Sequence, residues 1–80
     1  MLMVKPAITA LDVISDLSDQ SDLPVLAYQV SGEYAMLRHA ADAGAFAFDA
    51  AMLESLLSIR RAGARAVITY SALDVARWLA

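Results

Sequence analysis

With 80 residues the chain makes one domain at most, and a domain of this size buries only about 60–65% of the surface that its unfolded chain exposes. Yet 60% of the residues are hydrophobic and only 19% are charged, an apolar excess that predicts contact with a further surface. A net charge of −3, no cysteine and one histidine argue against nucleic acid as a partner, a disulfide framework and a thiolate or histidine metal cluster.

No apolar run reaches the roughly 18 residues of a membrane span, because Asp, Glu, Arg and Gln interrupt each candidate. The N-terminus lacks the pattern of a signal peptide, and a cytoplasmic protein is expected.

The first element is the apolar run Leu2-Met3-Val4, closed by Lys5-Pro6. Proline disfavours the α region for the residue before it and lacks an N–H, so Lys5 is expected as the last residue of a short strand. Lys5 is also the only lysine; the other five cations are arginines. A lysine amine with an ordinary pKa is about 1 part in 2,500 neutral at pH 7, and it attacks a ketone only where burial or a second cation activates it. The end of a strand in an α/β protein can supply that burial.

Ala10, Val13, Ile14 and Leu17 recur at helical spacing and predict a helix over about residues 9–19. Polar Gln20-Ser21-Asp22 and Leu23-Pro24 then lead into Val25 to Val30, a nearly continuous apolar run that reads as a strand buried on both faces of a parallel sheet. Ser31-Gly32 follows, and Tyr34, Leu37, Ala40 and Ala41 predict a helix over Glu33 to Ala43, closed by Gly44. Asp49 is the expected N-cap of a third helix running through Met52, Leu53, Leu56, Leu57 and Ile59 to Gly63. Ala66 to Tyr70 is a third β-rich run, and Ser71 with Asp74 three residues on fits the start of a last helix, Ala72 to Leu79.

The order β-α-β-α-α-β-α predicts an α/β fold with three parallel strands. Lys5, Ser31 and Tyr70 then each stand at or just past the C-terminal end of a separate strand, the edge at which such sheets and barrels bind ligands. A serine hydroxyl and a tyrosine hydroxyl there can hold a carboxylate while an amine attacks a carbonyl. Glu33 at a helix start, Glu54 within a helix, Arg60-Arg61 near a helix end and His39 beside Arg38 all read as structural.

Met3-Val4-Lys5-Pro6-Ala7, Tyr28-Gln29-Val30-Ser31-Gly32-Glu33-Tyr34-Ala35-Met36, Leu53-Glu54-Ser55-Leu56, Arg61-Ala62-Gly63-Ala64 and Ile68-Thr69-Tyr70 together resemble the porphobilinogen synthase family, also called 5-aminolevulinate dehydratase, over essentially the whole chain. The resemblance implies the C-terminal part of a (β/α)8 TIM barrel and the condensation of two 5-aminolevulinate molecules to porphobilinogen with loss of two waters. It implies that Lys5 is the Schiff-base lysine, that Ser31 and Tyr70 hold the substrate carboxylate, and that Tyr28 lines the same pocket. Family members are several times longer; their second active-site lysine, the residues that bind zinc or magnesium and the N-terminal arm have no counterpart in these 80 residues. No cofactor site is therefore expected within the chain. By itself the piece is expected to be inactive and to self-associate as a homo-oligomer or pair with the remaining barrel. The alternative is a non-catalytic module that assembles or binds ligand without turnover.

Overall fold

A computed structural model describes all residues from Met1 to Ala80. Three strands, β1 (Leu2–Val4), β2 (Val25–Gln29) and β3 (Ala66–Thr69), form one parallel sheet in the order β1-β2-β3. Around them run α1 (Leu11–Gln20), preceded by a 3-10 turn at Ile8–Ala10, then α2 (Ser31–Asp42), α3 (Phe48–Ala62) and α4 (Ala72–Leu79). The expected order of elements and the parallel sheet both hold.

The register aligns Val4 with Ala27 and Ala27 with Val67, so one pleat of all three strands points the same way. Val4, Val25 and Ala27 from that face join Ile14 of α1, Ile59 of α3, Ala7 and Ala64 in a single apolar core. The amphipathic patterns explain this arrangement: Ile14 is the fully buried position of α1, and Ile59, with Met52, is fully buried in α3.

Burial on both faces of β2 is not what the structure shows. Val25, Ala27 and Gln29 are buried while Leu26 and Tyr28 are only half-buried, and on the same open face Met3 and Ile68 are 47% and 46% exposed. Ile14 of α1 and Ile59 of α3 pack on the other face. An unbroken apolar strand reports that both faces are meant to be covered, without saying by which residues.

Several boundaries also move. β1 ends at Val4 and Lys5 lies in a bend; α2 starts at Ser31 itself rather than at Glu33. Ala47, not Asp49, is the N-cap of α3, and Asp49 falls in its first turn. Ser71 precedes α4 but its hydroxyl makes no capping bond, because it is turned into the interior, buried and without a partner. At the other end of α3, Gly63 takes φ +125° as the C-cap and its N–H donates to Ile59 and Arg60 carbonyls. Arg60 donates to the Ala64 carbonyl at 2.8 Å, and Arg61 pairs with Glu54 at 2.6 Å on the surface, so these charges serve the helix as expected.

The last helix has no buried residue. Trp78 holds it against α3 by an edge-to-face contact with Phe48, ring centres 6.2 Å apart, and the face of Phe48 carries the Arg38 guanidinium at 3.6 Å.

Candidate functional site

The C-terminal edge of the sheet gathers the residues that carry chemistry. Tyr28 and Ile68 share a rung, as do Gln29 and Thr69, and the chain leaves the sheet one residue later on each strand. Lys5 leaves β1 just past Val4, Ser31 opens α2 just past β2, and Tyr70 follows β3; all three are exposed.

Tyr28 and Tyr70, 42 residues apart, meet through their hydroxyls at 3.2 Å. With Ile68 and Thr69 they line a shallow cavity of about 110 Å³. Lys5 and Ser31 stand at the same edge but do not line that cavity. The Tyr70 ring also lies 6.2 Å from that of Tyr34 in α2, whose ring in turn meets Phe48 at 6.0 Å, so aromatic packing from α2 and α3 fixes its side.

The hydrogen bond with Tyr28, then the charge a neighbouring phenolate would present, then slight desolvation raise the pKa of Tyr70 above the ordinary 10.0. A raised folded-state pKa means that the contact contributes stability in full below pH 10.0 and loses it as pH climbs through the folded value. Tyr28→Phe removes both leading causes. Ultraviolet titration of the phenols is expected to show Tyr70 ionising at lower pH in the variant than in the parent chain; an unmoved curve would mean that the two hydroxyls do not interact.

Beneath the tyrosines runs a polar chain that links three elements. The Ser71 N–H donates to Thr69 Oγ1 at 3.1 Å, the Thr69 hydroxyl to Gln29 Oε1 at 2.6 Å, Gln29 Nε2 to Ser55 Oγ at 3.0 Å, and the Ser55 hydroxyl to the Met52 carbonyl at 2.7 Å. It ties the backbone on either side of Tyr70 through β2 to α3. Gln29 is fully buried, and nothing in its apolar surroundings marks it except that a buried amide needs partners for both its ends.

Glu33 is the second residue whose part exceeds its expected role. It reaches back to the Val30 N–H at 3.1 Å, half of a capping box, but it is also 2% exposed and accepts the Ala7 N–H at 2.9 Å and the Ile8 N–H at 2.5 Å. His39 is exposed in the last turn of α2. No three His, Cys, Asp or Glu side chains converge in a group that could hold a metal ion. No helix is long and apolar enough to cross a membrane.

The sequence model of the family described as delta-aminolevulinic acid dehydratase matches residues 1–78. The chain belongs to the delta-aminolevulinic acid dehydratase family. It is 60% identical over 79 residues to the chloroplastic delta-aminolevulinic acid dehydratase of Physcomitrium patens, covering 99% of this chain and 18% of the relative. It is 55% identical over 75 residues to the Escherichia coli (strain K12) enzyme, covering 94% of this chain and 23% of the relative. The crystal structure of delta-aminolevulinic acid dehydratase (porphobilinogen synthase) from Toxoplasma gondii ME49, in complex with the reaction product porphobilinogen, superimposes with a TM-score of 0.95 at 52% identity, over 98% of this chain and 22% of that one. The chain thus spans about a fifth of the length of these dehydratase relatives. Its three parallel strands and their helices correspond to part of the dehydratase TIM barrel.

Proposed function

We propose that this chain supplies one substrate-binding half of a delta-aminolevulinic acid dehydratase, with Lys5 as the Schiff-base lysine, Ser31 and Tyr70 as the hydroxyls that hold the substrate carboxylate, and Tyr28 as the side of the pocket. The observation that carries the reading is the placement of Lys5, Ser31 and Tyr70 at the C-terminal edge of three adjacent parallel strands. In this reading the neutral amine of Lys5 adds to the ketone carbon of 5-aminolevulinate, the carbinolamine loses its oxygen as water, and a carbon–nitrogen double bond remains. Ser31 and Tyr70 donate hydrogen bonds to the carboxylate, and the Tyr28 contact aims the Tyr70 hydroxyl.

Condensation of two substrate molecules with loss of two waters is the proposed activity of the longer protein, in the cytoplasm; the 80 residues alone complete no such turnover. The half-open sheet face at Met3, Leu26 and Ile68, together with the unpaired edges of β1 and β3, is proposed to meet the rest of a barrel or a second copy of the chain.

The test is to incubate the purified chain with 5-aminolevulinate, reduce with borohydride and locate the added mass by tandem mass spectrometry. A single adduct on Lys5 is expected. A folded sample that takes up no label, or takes it up only at its N-terminal amine, would sink the reading.

A further inference from the structure

We propose that Glu33 is a positioning residue that sets the Lys5 amine and the Ser31 hydroxyl at a fixed separation, by holding the turn after β1 and the start of α2 on one buried carboxylate. The inference rests on the reading of Lys5 and Ser31 given above.

A carboxylate is kept out of water only where hydrogen bonds replace its hydration. Glu33 has three such bonds, all from backbone N–H groups, and takes part in neither ion pair of the chain. A helix start asks for only one of them, the bond to Val30. The other two come from Ala7 and Ile8, 26 and 25 residues away, and contribute nothing to capping α2. Oε1 accepts from both Ala7 and Val30, so the two strand-end connections meet at a single atom.

What the carboxylate holds is next to what the chemistry needs. Ala7 is fully buried in the core, and only Pro6, whose ring restricts φ, separates it from Lys5. On the other side Lys5 follows Val4, which is paired with Ala27. The backbone of Lys5 is thus fixed before and after. Ser31 directly follows Val30, the third donor. An exposed lysine and an exposed serine have no contact of their own to set their spacing; Glu33 sets it through the backbone.

Glu33→Gln keeps the shape and one acceptor oxygen but turns an NH2 group toward at least one backbone N–H. In the 80-residue chain, this variant is expected to trap 5-aminolevulinate about 10- to 100-fold more slowly at saturation, the effect of a small misplacement of reacting groups, and to need more substrate for half-maximal trapping. Ser31→Ala, which removes a binding contact, raises the half-saturating concentration. Amide exchange is expected to quicken at Ala7, Ile8 and Val30 and to stay unchanged at Ala27 and Gln29. Unchanged trapping in Glu33→Gln, or quickening spread evenly over the sheet, overturns the proposal. If Glu33→Gln does not fold, through-hydrogen-bond couplings from the Ala7 and Ile8 nitrogens to Glu33 Cδ in the parent chain decide, and their absence overturns it. A parent chain that traps nothing overturns the functional reading and with it the purpose of the clamp, whereas normal trapping in the parent with no effect of Glu33→Gln overturns the clamp alone.

Discussion

Gly63→Ala is expected to bring the chain to the edge of unfolding in water. Gly63 closes α3 at φ +125°, a region that costs an L side chain about 1–3 kcal/mol. An added Cβ would also lie 2.5 Å from Ser18 Oγ and 2.6 Å from Ser18 Cβ. The hydroxyl can rotate away; the Cβ is fixed to α1, so α1 and α3 must part where they pack, at about 1–3 kcal/mol more. A domain of this size has roughly 4–12 kcal/mol in all. The disturbance also sits one residue from fully buried Ala64 and two from Arg65, whose N–H donates to the Val25 carbonyl at 2.8 Å and leads into β3. Urea unfolding followed by circular dichroism should show the midpoint fall steeply in Gly63→Ala, with Ser18→Gly restoring the part due to the clash and not the part due to φ. An unchanged midpoint would mean that the α1–α3 contact yields freely.

Lys5→Ala and Lys5→Arg should both remove every trace of the trapped adduct at that position while leaving the unfolding midpoint where it was. The two outcomes follow from different facts. Lys5 is exposed and takes part in neither ion pair, so its side chain contributes little to stability. It is the only lysine, and a guanidinium stays protonated at any accessible pH, so arginine preserves the charge without the nucleophile. Tyr70→Phe and Ser31→Ala, in contrast, would each delete one of the hydrogen bonds proposed to hold the carboxylate and should weaken substrate capture by about tenfold rather than abolish it. Full trapping in Lys5→Arg would remove Lys5 from the chemistry; loss of trapping as complete in Ser31→Ala as in Lys5→Ala would instead make the hydroxyl indispensable.

The order of elements was legible because it is written locally: Ile14 and Ile59 fall on helical periods, Pro6 and Gly63 punctuate, and Val25 to Gln29 is too apolar for a loop. The exact ends were not. Ser31 and Asp49 are good cap residues by type, yet the chain caps with Val30 and Ala47; at the first of these Glu33 satisfies the helix start from within. The three candidate site residues could be placed at one edge from topology alone, and the family resemblance attached roles to them. The hydroxyl contact between Tyr28 and Tyr70 and the polar chain through Gln29 join residues about 26 to 42 apart, and no local pattern announces such pairs. For the same reason Glu33 read as a helix-start charge, when two of its three bonds go to residues 25 and 26 positions away.

The edge-to-face contact between Trp78 and Phe48 also makes the protein its own optical gauge. Trp78 is the only tryptophan, so the indole emission has a single source, and that source packs edge-to-face on Phe48 of α3. Release of α4 exposes the ring fully to water and moves the emission to longer wavelength, even while the strands stay paired. Because α4 begins two residues after Tyr70, the colour of that emission reports whether the tyrosine's backbone is anchored on its far side, a state that absorbance of the phenols does not register.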